Sequence, residues 1–364
     1  MIEIDNRKSS IELLRIIAMF FIITSHYSVH GGFKFDAMHF SFNKLLLNYT
    51  ILGNLGANIF FIISGFFLSK SKFCLEKIFK LIFQTMTYSI IIYVILCIID
   101  NSLISKNNII SAFIPITLYW FITAYTIIYL LFPYFNKLIN AMNKKEFIFL
   151  LLIMLVFWSI LPTSFKISLF PSVIIDVIIL YFIGAYIRYY IDIEKINSKL
   201  LYALLTIFVL IMLVLTLLTN MLNYPLQNIL IYYNKNSIFT IIISVLIFVI
   251  FCKFKFTSKF INYISSCVFG VYLFHDNEFI RYRIWQTICK NYLYQDSKYL
   301  ILHLMTCVLM VFIIGIIIEL IRKRTIGKIT DKIAKKSEKR IKEIIYVSEK
   351  YYLKAVSNKK YHNS

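Results

Sequence analysis

The chain has 364 residues, 60% of them hydrophobic and only 16% charged, with a formal net charge of +21. Soluble domains run nearer half apolar and a quarter charged, so this composition excludes an ordinary water-soluble enzyme and points to one membrane domain. Nine Gly and five Pro exclude a collagenous or loop-rich chain, and six scattered Cys with no CxxC pair read as packing residues rather than a disulfide framework or metal site.

Ten apolar runs are long enough, or nearly so, to cross a bilayer: about 11–28, 49–69, 79–99, 115–135, 147–163, 172–190, 200–219, 237–252, 260–276 and 299–321. The expected fold class is all-α, a polytopic transmembrane helical bundle of about ten helices. The domains expected are a membrane domain over 1–321 and a basic tail over 322–364. SHYSVHGGF follows the first run without a small-x-small cleavage site, so this run is expected to remain as a helix.

That first run, IELLRIIAMFFIITSHY, carries Arg15 and His26. Ionisable side chains are costly in hydrocarbon and rarely sit there without a role. Eleven residues at ~100° each close about three turns, which puts both on one helix face roughly 16 Å apart along the axis. Two readings stand for Arg15. It can snorkel to the headgroups with Glu12 as its i,i+3 partner, or it can serve chemistry. His26 can simply end the helix, or face a lumen shared with Arg15.

In the second run, Ser64-Gly65 lies inside IFFIISGFFLSKSK, where small residues allow close helix packing or a break lining a cavity. Lys77 and Lys80 follow at the start of the third. The fourth, YWFITAYTIIYLLFPYF, places Trp120 and Tyr125 either in an interfacial belt or along a sugar or acyl site. The ninth, around CVFGVYLFHDN, is short and interrupted by Ser-Ser-Cys and Gly270; it brings His275 to the level of His26. His303 reads as a packing or interface residue, and His30 and His39 as solvated loop residues.

With the N-terminus placed in the cytoplasm, 30 of the 39 Lys and Arg fall on the inner side, and the inner side leads even without the tail. This is the positive-inside pattern for an even number of spans, so the excess charge is mostly a topology signal rather than a nucleic-acid signal. The tail spaces Ile326, Ile329, Ile333, Ile341, Ile344 and Ile345 at helical intervals among lysines, which reads as a basic amphipathic helix on an anionic inner leaflet. There is no phosphate loop, no GxGxxG, no GxSxG and no HExxH. ATP-driven and zinc chemistry are therefore unsupported, and no metal is expected.

Arg15, ten residues, then His26, followed by FFIISGFF, YWFITAYTIIYLLFP and GVYLFH, resembles the membrane acyltransferase-3 family over nearly the whole span region. The resemblance implies about ten helices and transfer of an acyl group, usually acetyl. The implied donor is cytoplasmic acyl-CoA and the implied acceptor a hydroxyl on an extracytoplasmic glycan or lipid-linked sugar. It implies that Arg15 and His26 are the functional pair. The family's Arg-x-x-Arg motif is matched here by Lys77-Ile-Phe-Lys80, which keeps the charge but loses bidentate phosphate geometry. Glu319 occupies a place near the end of the last span where the family often has an acid.

The reading is an O-acyltransferase acting on a surface polysaccharide or lipid-linked glycan, in a bacterial cell membrane, multi-pass, with both termini cytoplasmic. Arg15 and His26 are the expected catalytic residues; Arg15, Lys77 and Lys80 are expected to meet the acetyl-CoA (acyl-CoA) donor. Trp120, Tyr125 and His275 are expected at the substrate. His26 would be a general base or a transient acyl carrier. Acyl-CoA, the glycan acceptor, membrane lipids and glycan-assembly proteins are the expected partners, without nucleic acid. The alternative, a transporter or flippase of a lipid-linked glycan, requires several paired charges at mid-membrane, where the spans offer little beyond Asp176.

Overall fold

The computed structural model describes residues 8–35, 41–49, 53–115, 118–165, 172–222 and 234–361. The described residues form helices and connecting turns, with no strand among them. In chain order the helices are α1 (Ser9–Val29), α2 (Phe42–Tyr49), α3 (Gly53–Leu68), α4 (Leu75–Ile99), α5 (Lys106–Phe113) and α6 (Trp120–Ala141). Then come α7 (Lys144–Leu155), α8 (Leu161–Phe165), α9 (Val173–Tyr190), α10 (Ser198–Met221) and α11 (Ile238–Lys253). The last four are α12 (Lys259–Ser265), α13 (Val268–His275), α14 (Leu300–Thr325) and α15 (Gly327–Tyr361). His39, placed in a solvated loop on sequence grounds, lies outside the described residues, as do Arg7 and Lys166.

Among the described residues, eight helical segments are long and apolar enough to cross a membrane, and α11, with 16 residues, is shorter. The helical membrane bundle thus stands, although two of the expected spans are not single uniform helices. The run at 260–276 is not one helix but α12 and α13, broken at Ser266-Cys267. The break is met by a tertiary contact. Lys323 Nζ on α14 donates to the Ser266 carbonyl and to its hydroxyl, each at 2.8 Å. The Ser266 carbonyl at the break thus has a cation from a neighbouring helix as its donor. The fifth run is likewise not uniform: α7 passes through a π turn at Val156–Ile160 into α8.

Small residues bring α3 into contact with α1 and α9. A side chain on Gly65 would overlap the Tyr181 backbone of α9, and one on Gly184 would overlap the Ile62 carbonyl of α3. Lipid tails are as apolar as the helix surfaces, so close packing rather than the hydrophobic effect holds such pairs together. Ser64-Gly65 accordingly serves packing on its glycine side without breaking the helix.

α1 lies between the two halves of the core. Ile11, Leu14 and Ala18 pack with α3, α6, α9 and α11. Met19, Ile22, Ile23 and Tyr27 pack with α13, α14 and the fully buried Trp285. Its first turn is tied to α12: Ser9 Oγ donates to Asn262 Oδ1 at 2.9 Å, and Ser265 Oγ donates to Glu12 Oε2. Its last turn is tied to α14, where Tyr27 Oη meets His303 Nδ1 at 2.8 Å; that ring stacks on Tyr294 at 3.7 Å. His303, read as packing, is therefore an anchor for the helix that carries His26.

The tail is helical as expected and its first turns pack on α4. Ala334 is fully buried there and Asp331 lies 3.4 Å from Lys80. Ile329, Ile333 and Ile344 remain exposed along one side.

Candidate functional site

Two cavities lie one beyond the other along α1. The first, about 270 Å³, is lined by Arg15, Met19, Ile63, Ser64, Tyr125, Ser265 and Phe269 among others. The second, about 290 Å³, is lined by Ser25, His26, His30, Asn54, Trp120, Lys235, Asp276 and Arg281 among others. Ile22, Phe121 and Tyr272 line both. These three form the wall between the cavities, and Phe121 lies 5.6 Å from Tyr272 and 4.8 Å from Phe61, ring to ring. Ile22 sits between Arg15 and His26 on α1, so the helix that carries both ionisable groups also supplies part of the wall between them.

In the first cavity, Arg15 Nη1 donates to Glu12 Oε1, and Glu12 is itself buried and held by Ser265. The Arg15 side chain is 30% exposed. A guanidinium has five donors, so one contact with Glu12 leaves its fork able to engage a ligand. The pairing foreseen for Glu12 and Arg15 is present, and it coexists with a place on a cavity. Tyr125 faces this same cavity.

In the second cavity, His26 Nδ1 lies 3.6 Å from Asp276 Oδ1. Asp276 caps α13, and Arg281 Nη1 approaches the same oxygen at 4.0 Å. The His30 ring lies 5.0 Å from that of His26, one turn further along. Burial, followed by the nearby His26 and Arg281, pushes His30 down to about 4, so it is a neutral imidazole at pH 7. Lys235 Nζ sits 3.3 Å over the Trp120 ring, with its backbone carbonyl accepting from Asn58 at 2.8 Å. Burial pulls the Lys235 ammonium down to about 8, against a smaller opposing pull from Asp176.

The segment around Asp276 is fixed from several sides. Asn277 is fully buried and donates to Tyr119 Oη at 2.7 Å, which in turn donates to the Leu273 carbonyl at 2.7 Å. Arg283 meets Asp100 at 2.6 Å, and the Ser102 hydroxyl together with this guanidinium holds the Asp100 carboxyl below its usual range. Gln286 Nε2 donates to the His30 carbonyl at 2.9 Å, which ties this segment to the end of α1.

The structure therefore brings Arg15 and Tyr125 to one cavity, and His26 and Trp120 to the other. His275 is not on either cavity. Its ring lies 5.1 Å from that of His26, but it is fully buried and its Nδ1 is engaged with the Val271 carbonyl at 2.7 Å. Its neighbour Asp276 is the residue that faces His26. Lys77 is exposed, and Lys80 is paired with Glu76 at 2.9 Å and with Asp331; neither lines the Arg15 cavity. Glu319 is buried away from both cavities, accepting from Tyr88, Gln84 and the Arg322 fork. Sequence reasoning missed Asp276, Arg281, His30 and Lys235 as site residues. Only the His-Asp-Asn triplet after GVYLF offers a signal in the sequence, and the structure sets its Asp276 beside His26 Nδ1.

Two cavities on one helix, an arginine in one and a histidine–carboxylate pair in the other, share a thin wall of Ile22, Phe121 and Tyr272. Such an arrangement suits a reagent delivered from one side and consumed at the other. No curated protein and no solved structure matches the chain. A family model does, described as an acyltransferase domain and matching residues 8–325. That match runs from the first turn of α1 to the end of α14 and takes in every residue of both cavities, and by it the chain belongs to the acyltransferase-3 family of membrane acyltransferases.

Proposed function

We propose that this membrane acyltransferase moves a short acyl group, acetyl in the first instance, from acyl-CoA to a hydroxyl of a surface polysaccharide or lipid-linked glycan. The observation that carries the reading is the pair of cavities along α1, with Arg15 on one, His26 on the other, and Ile22, Phe121 and Tyr272 lining both. The charge distribution along the sequence supports a cytoplasmic Arg15 end and an outer His26 end. The donor then enters beside Arg15 and the acceptor beside His26.

In this mechanism His26 removes the proton from the acceptor hydroxyl as its oxygen attacks the thioester carbonyl. The C–S bond breaks, the CoA thiolate leaves, and the proton passes from the imidazolium to that sulfur. Asp276, 3.6 Å from His26 Nδ1, fixes the ring so that Nε2 is the basic nitrogen and favours the imidazolium as it forms. The separation exceeds hydrogen-bond length, and such contacts commonly tighten only when substrate is present. Arg15 holds the donor by its fork. Trp120, with Lys235 above it, offers a flat face to a sugar ring.

The test is the O-acetyl content of the surface glycan in cells carrying wild-type or His26→Ala protein at equal membrane levels. General-base loss costs on the order of 10²–10⁴-fold, so the expected result is near-complete loss of O-acetyl groups. Unchanged acetylation would refute the role of His26, and unchanged acetyl-CoA consumption with no glycan product would point to another acceptor.

A further inference from the structure

The end of α1 reads His26-Tyr-Ser-Val-His30, two histidines four residues apart on one helix face. Their rings lie 5.0 Å apart. A third donor comes from a different element, the Asp276 carboxylate at the end of α13, 3.6 Å from His26 Nδ1. One ligand atom from each of the three lies within 4.8 Å of the other two. A tetrahedral zinc with bonds of ~2.0–2.2 Å needs donors roughly 3.3–3.6 Å apart. The His26–Asp276 edge already meets that spacing, and the His30 donor lies within 4.8 Å of both.

We propose that His26, His30 and Asp276 form an inhibitory binding site for a zinc-class divalent cation that enters through the His26 cavity. Three features support a ligand here. The buried His26 Nδ1 has no hydrogen-bond partner, which is unusual for a polar atom at that depth. Two imidazoles and one carboxylate select zinc, cobalt or nickel over magnesium and calcium, which prefer all-oxygen shells. The cavity of about 290 Å³ leaves the fourth position open to water or to the acceptor. The clustered ligand atoms come from His26, His30 and Asp276 and not from His275, whose Nδ1 is engaged with the Val271 carbonyl. The Arg281 guanidinium, 4.0 Å from Asp276 and 3.9 Å from the exposed Glu278, competes for the carboxylate and tunes the site towards reversible binding.

The inhibitory consequence rests on the acyl-transfer reading; the binding itself does not. A cation at this place takes up the lone pairs of both histidines and the charge of Asp276, so His26 can no longer accept a proton. Nothing is transferred or oxidised, and removing the cation restores the base.

The experiment uses the full-length protein in detergent, carrying no histidine tag. Cobalt(II) is titrated and followed by its visible absorption, with zinc and then magnesium as competitors. The expected result is one cobalt per chain, displaced by zinc and not by magnesium, with binding weakened on the order of tenfold or more in His30→Gln and in Asp276→Asn. Absence of a cobalt spectrum, or binding unchanged in both variants, overturns the site. In a second arm, zinc is added to the wild-type acyl-transfer assay and then chelated. Loss and recovery of turnover is expected, while full activity with the site occupied overturns the inhibition. Because the first arm reads metal alone, failure of the acyl-transfer reading leaves it interpretable. His30→Gln, at the end of the helix, keeps the test open if Asp276→Asn does not fold.

Discussion

Asp276→Asn removes one charge beside His26 and keeps the side-chain shape. Two unit charges 3.6 Å apart interact by about 4–5 kcal/mol at an effective dielectric near 20. Arg281 draws on the same oxygen at 4.0 Å, and we take it to cancel about half, leaving roughly 2–3 kcal/mol favouring an imidazolium on His26. At 1.36 kcal/mol per tenfold, kcat should fall by roughly 30- to 150-fold. The loss should not exceed that of His26→Ala. The assay is release of CoA thiol by purified protein in proteoliposomes, with acyl-CoA and acceptor varied separately. KM for acyl-CoA should stay within about twofold, because Asp276 faces the other cavity. A kcat within threefold of wild type would refute the His26–Asp276 pairing, and a rise in acyl-CoA KM at unchanged kcat would show that Asp276 acts on the donor.

Arg15→Lys should lose at least about tenfold in kcat/KM for acyl-CoA if the guanidinium fork grips the donor, since lysine offers only a point charge; near-normal activity in the same thiol-release assay would reduce Arg15 to a snorkelling residue. Lys235 is pulled below its unfolded value of about 10.5 by burial, so its charged form costs stability below about pH 8, and that cost is relieved as pH rises from about 8 to about 10.5. Lys235→Met should therefore raise the melting temperature by a few degrees at pH 7 and by much less at pH 10; an equal shift at both pH values would argue against it. Gly184→Val should destabilise by about 3 kcal/mol or more, because the new side chain overlaps the Ile62 carbonyl of α3, and thermal unfolding in detergent would show it.

The parts of the site that lie on one continuous helix were legible in the sequence. The Arg15–His26 spacing needs only helix rise and periodicity, and both groups do reach cavities along α1. What escaped was tertiary. Asp276 reaches His26 because α13 ends at His275 and the chain turns there, and no periodicity reports where a helix stops by that one residue. His275 looked equivalent from its depth, yet its Nδ1 is engaged with its own helix at Val271. The break at Ser266-Cys267 was hinted by the small residues, but the contact that meets it, from Lys323 on α14, is distant in sequence. Lys77 and Lys80 carried the right charge for a phosphate, while the carboxylates that claim Lys80 come from its own helix and from the tail.

α1 is fastened at both ends, to α12 by Ser9 and Glu12 and to α14 by Tyr27. Fastened this way it works as a ruler: the interval between Arg15 and His26, roughly 16 Å, is set by backbone rise and not by any side chain. Most substitutions between the two leave that interval intact. A single inserted residue would lengthen it by only ~1.5 Å but swing His26 about 100° around the axis, away from its carboxylate and out of its cavity. The stretch between Arg15 and His26 should therefore tolerate changes of residue far better than changes of length.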